Sequence, residues 1–244
     1  LLRQRLSRIV VHATDEVPKI DWNYQSEVQR GLNNRVLPVS RAKMLGGCSS
    51  HNQCLYVRGA PADYQYWPTN WSYDHVLGNF KNIETVVDGD LQGSPYRGSS
   101  GPLRISSFHS RKNKLTSQFH DACVRSGYRH VTDYNVPLPQ DHDQICSYMQ
   151  FNVGWQNNEN HRQDAYTTFL KQVENQSNVE VITQAHVSRI LFKEASSCSC
   201  CCNNNKLPNQ GIVPVASGVE FYKHGKRYVI EVKEEVILSG GAIG

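Results

Sequence analysis

Apolar positions recur at helical spacing in three stretches of the chain and at strand spacing through its last third. Asp74–Glu84 carries Val76, Leu77, Phe80 and Ile83 three and four residues apart, which predicts an amphipathic helix. Lys114–Ser126 repeats the stripe with Leu115, Phe119, Ala122 and Cys123, and Gly127 is placed to end it. Asp164–Glu174 does so with Tyr166, Phe169, Leu170 and Val173, with Asp164 as its N-cap. The period then shortens. Val179–Thr183, Val187–Phe192, Gly218–Tyr222 and Arg227–Val232 are β-branched runs punctuated by turn residues such as His224-Gly225-Lys226. Together they predict a β-meander feeding a last strand, Val236–Ser239, so the fold class is mixed α/β.

Two regions stand apart from this pattern. Ser196–Ser217 is polar and biased, with Pro208, Pro214 and four cysteines (Cys198, Cys200, Cys201, Cys202), and reads as a flexible low-complexity insertion in a hairpin. Adjacent cysteines lack the two-residue spacers of a zinc knuckle, so a thiol-rich surface loop is expected and no metal ligand is assigned. The chain opens without a clear first element and closes on a buried strand pattern followed by Gly240-Gly241. It is therefore expected to be an internal piece of a longer polypeptide.

Composition narrows the class further. The 244 residues are 39% hydrophobic and 20% charged, with 26 Lys+Arg against 22 Asp+Glu and a formal charge of +4. The basic residues are spread along the chain, which argues against a nucleic-acid partner. Mean hydropathy is −0.55, and no run approaches the ~18 apolar residues of a membrane span. Nor does a secretory leader pattern open the sequence. Besides the four clustered cysteines, Cys48, Cys54, Cys123 and Cys146 are dispersed. Unpaired spacing of this kind favours reduced thiols in an intracellular protein, although two Asn-x-Ser tripeptides (Asn70–Ser72 and Asn175–Ser177) would permit glycosylation elsewhere.

The segment densest in potential chemistry is Arg41-Ala-Lys-Met-Leu-Gly-Gly-Cys-Ser-Ser-His-Asn-Gln-Cys-Leu-Tyr-Val-Arg-Gly59. Gly46-Gly47 lets main chain approach a flat or anionic ligand without a Cβ in the way. Ser49 and Ser50 are suited to open a helix holding His51, Asn52 and Leu55. On these residues alone, a capped glycine turn before a structural helix is an equal reading.

The whole string, however, resembles the first signature of the glucose–methanol–choline (GMC) family of flavin oxidoreductases. Further matches follow in order. They are Asp21-Trp22-Asn23-Tyr24 ahead of it, then Val57-Arg58-Gly59, Asp63-Tyr64, Trp67, Trp71-Ser72-Tyr73 and Val76-Leu77. Gly101-Pro102-Leu103, Asp133-Tyr134-Asn135, Arg162 and Phe169-Leu170 come next, and the series ends on Val187–Phe192, Gly218–Phe221 and Glu235–Gly244. The resemblance implies that 1–244 is a partial FAD-binding, Rossmann-like domain with part of a substrate domain. It lacks the G-x-G-x-x-G fingerprint and the catalytic histidine region. No catalytic residue is assigned within it, and the piece alone is expected not to turn over.

Carried onto this sequence, the resemblance implies that Met44, Gly46, Gly47 and Cys48 lie along the flavin. Asn52, Gln53, Cys54 and Leu55 border its ring, and the backbone of Val187 meets the adenine. Within the family the match is most similar to the choline oxidase branch, which implies FAD covalently attached at His51. Gln53 stands where that branch has a smaller residue, and Val136–Gln144 replaces a shorter turn. The implied activity is oxidation of an alcohol to an aldehyde with hydride passing to flavin N5. The substrate is a choline-like or other polar alcohol, and the acceptor is O₂ or a quinone-type carrier. A flavin-containing lyase of the same fold and an inactive truncated product are the alternatives.

Overall fold

A computed structural model of the chain describes residues 20–107, 113–138, 144–156, 159–194 and 214–243. It divides into two units, Leu1–Asn175 and Gln176–Gly244. In the first, β1 (Tyr24–Gln25) and β2 (Pro38–Val39) pair antiparallel. Helix α1 (Tyr73–Ile83) leads directly into β3 (Glu84–Val86), which pairs parallel with β4 (Leu103–Ile105). Helix α2 (Lys114–Arg125) precedes β5 (Arg129–His130), parallel to β6 (Ile145–Cys146). An antiparallel pair, β7 (Val153–Gln156) and β8 (Glu159–Arg162), then delivers the chain to the short helix α3 (Ala165–Thr168).

The three predicted helices fare differently. α1 forms close to the predicted span: Tyr73 and Val76 are buried, Leu77 and Phe80 half-buried, and the Tyr64 ring lies 5.7 Å from Tyr73 and 6.5 Å from Phe80. Ile83, the last residue of the stripe, is 39% exposed where the chain turns into the strand at Glu84. Asp74 in its first turn and Lys81 in its last suit the helix dipole. α2 also forms, capped by Asn113, whose Oδ1 accepts from Thr116 N at 2.7 Å, with Gly127 past its end at φ +95°. Its inward face is not the expected one. Leu115 and Phe119 are 75% and 70% exposed, while Ser117, His120 and Cys123 are half-buried. The reason is a polar and aromatic contact: the His120 ring stacks on Tyr148 at 4.5 Å and its Nε2 lies 2.9 Å from His130 Nδ1. Asp164 does cap the third helix, accepting from Thr167 N at 3.0 Å, but only one α-turn follows. Phe169, at φ −117°, breaks it before a 3₁₀ turn over Leu170–Gln172.

The core of this unit is ionic as much as apolar. Tyr56, Leu103 and Ile105 pack together, and beside them Arg58, Glu84 and Arg97 are enclosed, with the Asp133 side chain 11% exposed. Arg58 Nη2 and Arg97 Nε reach Glu84 Oε1 at 2.7 and 2.8 Å, with side chains 0–1% exposed. Arg97 Nη1 also donates to Asp133 at 2.9 Å and to Gln150 Oε1 at 2.8 Å. Two guanidinium groups and two carboxylates balance, which is the condition for burying any of them. Gln150 Nε2 donates to Asp133, and Asn135 bridges Gln150 Oε1 to the Tyr56 carbonyl and the Arg58 amide. Burial first, then the Glu84 charge, pushes the Tyr56 phenol up to about 12.

The second unit contains the meander. β9 (Ala185–Glu194), β10 (Pro214–Lys223) and β11 (Lys226–Glu231) pair antiparallel with β10 in the centre. The β10–β11 link is a two-residue turn with His224 at φ +50° and Gly225 at φ +75°, the geometry whose twist matches a hairpin. Glu220, on β10, accepts from Ser188, Arg227 and Arg189, which together hold its carboxyl down to about 2.

Two predicted strands are absent. Val179–Thr183 and Val236–Ser239 pair with no described residue. A β-branched run without a neighbour's amides and carbonyls has nothing to make it a strand, and Ile237 and Leu238 are both 77% exposed. The insertion read over 196–217 lies largely in 195–213, outside the described residues, together with its four cysteines. Pro214–Ser217 belong to β10, with Glu194 paired to Pro214. Most of Val136–Gln144 also falls outside the described residues. Among those residues, no helix is long and apolar enough to cross a membrane.

Candidate functional site

The strap from Met44 to Leu55 is set by what precedes it. Ala42 bridges to Asp21, and main-chain bonds run from Trp22 N to Arg41 O (2.9 Å) and from Lys43 N to Ile20 O (2.6 Å). The buried Asp21 carboxylate accepts from Asn23 N at 2.7 Å, from Arg41 N at 3.3 Å and from Ser40 Oγ. Burial pushes this acid up, yet the three donors and the charge of His51 outweigh it and hold the carboxyl below its ordinary value.

The chain then turns through two left-handed residues, Gly46 (φ +85°) and Gly47 (φ +56°). They are unlike in their surroundings. A Cβ on Gly46 would collide with Ser50 Oγ and sit 2.9 Å from Asp164 Oδ1 and 3.2 Å from Tyr166 N, whereas one on Gly47 would meet nothing within 4 Å. Gly46 is therefore a close-packing glycine, and Gly47 leaves bare main chain.

The predicted helix after the glycines is replaced by a single 3₁₀ turn, Gly47–Ser50. The chain cannot continue helically because Cys54 takes φ +60° and the segment beyond it is pulled into bridges: Asn152 N donates to Cys54 O (2.7 Å) and Tyr56 N to Gln150 O (2.9 Å). Ser50 Oγ donates to Leu45 O at 2.9 Å, which folds the loop on itself. Ser49 Oγ accepts from Ala165 N at 2.8 Å, tying the strap to α3.

Arg162, at the end of β8, is the principal clamp. Its guanidinium donates to Ser49 O at 3.0 Å, Asn52 Oδ1 at 2.8 Å and Asn52 O at 2.7 Å, and Asn52 Oδ1 also accepts from Cys54 N. The sequence carried Arg162 and Asp21 only as points of resemblance, with no role. The bonds of Arg162 to the strap span 110 or more residues and those of Asp21 to Ser40 and Arg41, just before the strap, about 20, and no local pattern encodes such partners.

The predicted site residues thus fall in two places. Met44, Gly46 and Gly47 are half-buried, and Cys48, His51, Asn52, Gln53 and Leu55 are exposed on one continuous strap. Cys54 alone turns its side chain inward, 1% exposed. Burial pushes its thiol up, against the lowering charge of Arg162. Val187 lies in the second unit, on β9 opposite Phe221, with its side chain 55% exposed. Among the described residues no group of three or more His, Cys, Asp or Glu is arranged to hold a metal ion.

A family model described as GMC oxidoreductase matches residues 9–244, nearly the whole chain. The chain belongs to the GMC oxidoreductase family. The mitochondrial choline dehydrogenase of Homo sapiens is 32% identical over 92% of this chain and 33% of its own length. The oxygen-dependent choline dehydrogenase of Staphylococcus xylosus is 33% identical over 91% and 35%. The chain therefore spans about a third of the length of these GMC relatives. In fold it is similar to an FAD-dependent oxidoreductase from Chaetomium thermophilum (TM-score 0.70, 21% identity, 90% of this chain and 37% of that one). It is also similar to pyridoxine 4-oxidase from Mesorbium loti (TM-score 0.66, 22% identity, 88% and 39%).

Proposed function

We propose that the protein carrying this chain is an FAD-dependent oxidoreductase that acts on the CH–OH group of a small polar alcohol, with Met44–Leu55 laid against the flavin ring. The observation that carries this reading is a strap held through its main chain, its serines and Asn52 while most of its side chains stay uncovered. Arg162 and Ala165 hold it and Asp21 anchors Ser40 and Arg41 just before it, yet a Cβ on Gly47 would meet nothing and Leu45, Cys48, His51, Asn52, Gln53 and Leu55 are exposed. A flat ring needs this kind of surface: main chain that can be approached closely, with a few polar groups at its border.

On this reading Met44, Gly46, Gly47 and Cys48 run along the ring, and Asn52, Gln53, Cys54 and Leu55 border it. Cys54 contributes main chain, because its thiol faces inward. The backbone of Val187 serves the adenine. When bound, FAD supplies the acceptor for the hydride on the carbinol carbon. His51, exposed and within reach of the Asp21 charge, is the residue that would carry a covalent bond to the flavin 8α-methyl carbon. A choline-like alcohol is supported by the choline dehydrogenases among the relatives, and the electron acceptor is O₂ or a quinone-type carrier. The mitochondrial relative supports an intracellular setting.

The test uses the whole protein loaded with FAD. Anaerobic addition of choline and a panel of primary alcohols bleaches the yellow absorbance if the proposal holds. A protein that takes up no FAD, or that stays yellow with every alcohol, overturns it. Acid precipitation then separates the two modes of attachment: colour remaining with the protein, and lost to the supernatant in His51→Ala, assigns the covalent bond.

A further inference from the structure

We propose that the enclosed carboxylate of Asp164 lowers the reduction potential of the bound flavin, acting on the ring through the strap. The inference rests on the reading of Met44–Leu55 as the seat of the ring and goes one step beyond it. Asp164 caps α3, but a cap does not require its surroundings. It is 1% exposed, Thr167 N donates to its Oδ1 at 3.0 Å and Thr167 Oγ1 to its Oδ2 at 2.8 Å. No cation among the described residues forms an ion pair with it, whereas the enclosed Glu84 faces two arginines. An acid taken out of water without a counter-charge is costly, and its field acts on whatever lies beside it.

What lies beside it is the glycine turn. A Cβ on Gly46 would stand 2.9 Å from Asp164 Oδ1, so the carboxylate abuts the main chain of the strap. The next residue, Ala165, donates its N–H to Ser49 Oγ at 2.8 Å, which fixes that approach. The charge is felt further along the strap too. Burial pushes the Cys54 thiol up, Arg162 lowers it and Asp164 raises it again. Arg162 opposes Asp164 in sign but is only half-buried, so water and salt screen it more than they screen the enclosed acid.

The consequence follows from charge balance. When a carbinol carbon gives up a hydride, its C–H bond breaks, the hydroxyl proton passes to a base, and the ring receives two electrons with one proton. The ring thereby gains one unit of negative charge. A fixed negative charge on the far side of the glycine turn opposes that gain and favours handing the electrons on. A unit charge acting across about 10 Å of protein changes an equilibrium by roughly tenfold. For a two-electron couple, tenfold is about 30 mV.

The experiment reduces the whole protein, loaded with FAD, anaerobically against a reference dye, as wild type, Asp164→Asn and Asp164→Ser. Both replacements remove the charge and keep an oxygen that can cap α3. The expected result is a two-electron potential about 30 mV more positive in both variants. The difference should persist in high salt, because the carboxylate is enclosed. Potentials equal to wild type, shifted negative, or raised in one variant alone overturn the proposal. Loss of FAD uptake in both variants overturns it as well, since Asp164 would then be a structural support. A wild type that takes up no FAD fails earlier, at the reading of the strap itself, which tells the two failures apart.

Discussion

The strap at Met44–Leu55 and the knot around Glu84 are both held by arginines, but they use them in opposite ways. Arg162 donates to neutral acceptors, the Ser49 and Asn52 carbonyls and an amide oxygen, and is itself only half-buried. Arg58 and Arg97 face carboxylates with side chains 0–1% exposed. Bonds to neutral main chain fix a shape without stripping a charge of water, so the strap can be rigid and still present an open surface. The knot is nearly closed, with the Asp133 side chain, 11% exposed, at its edge. Every charge in it depends on the others, and it holds Tyr56 and Arg58, which follow the strap directly in the chain. On the proposed reading the first region receives the flavin, and the second keeps the first in place.

The sharpest way to break this comparison is Glu84→Gln. It leaves Arg58 and Arg97 buried with Asp133 as their one carboxylate, and removing one partner from an enclosed pair costs about 3–5 kcal/mol. Urea unfolding should register that loss directly, and a change below about 1 kcal/mol would mean that the knot is not dry. The paired glycines come next. Gly46→Ala forces a Cβ into Ser50 and Asp164 at positive φ, and overpacking of this kind costs about 1–3 kcal/mol. Gly47→Ala meets open space, so it loses only the left-handed penalty of roughly 1 kcal/mol. The second variant should therefore melt near wild type while binding FAD more weakly, and the first should fail in both assays.

How much of this was legible in the sequence depended on the range of the interactions. α1, the meander strands and the Asp164 and Asn113-side helix starts follow from local spacing and caps, and the glycine pair marked the strap by residue type alone. The lost strands at Val179–Thr183 and Val236–Ser239 were misread because a period-2 pattern states a preference for extension and says nothing about a partner. The face of α2 departs from its apolar stripe because His120 turns inward. Its ring packs on Tyr148, and tertiary contact overrode the stripe. The knot and the Arg162 clamp join residues from 13 to 113 positions apart, beyond the reach of any periodicity. Arg58, Glu84, Arg97 and Asp133 look like ordinary surface charges until the fold brings them together.

Arg162 tests the strap from the other side. Arg162→Lys keeps the charge but cannot span Ser49 O, Asn52 O and Asn52 Oδ1 at once, since an ammonium lacks the planar fork. Losing the equivalent of one charge-assisted bond, about 1.4 kcal/mol, should weaken FAD binding roughly tenfold. The melting temperature should move little. If stability fell as far as in Glu84→Gln, the strap would be part of the structural core, and the division between the two regions would fail.

The smallest effect belongs to Glu220, an ionic cluster of intermediate character. Its carboxylate is 5% exposed, but its partners Arg189 and Arg227 are 63% and 54% exposed and remain hydrated. Bonds from Ser188, Arg227 and Arg189 lower the folded-state value to about 2, from an ordinary value of 4.5. A depressed acid contributes stability that is complete above the unfolded value and disappears as the pH falls through the folded one. The β-meander should thus lose a component of its stability between about pH 4.5 and 2, and Glu220→Gln should flatten the acid limb over that window while leaving neutral-pH flavin binding unchanged. Salt should shrink the difference between the two proteins, because both arginines stand in water. The Glu84 knot, closed to solvent, should answer far less to added salt, and an equal response from both clusters would show that burial is not what separates them.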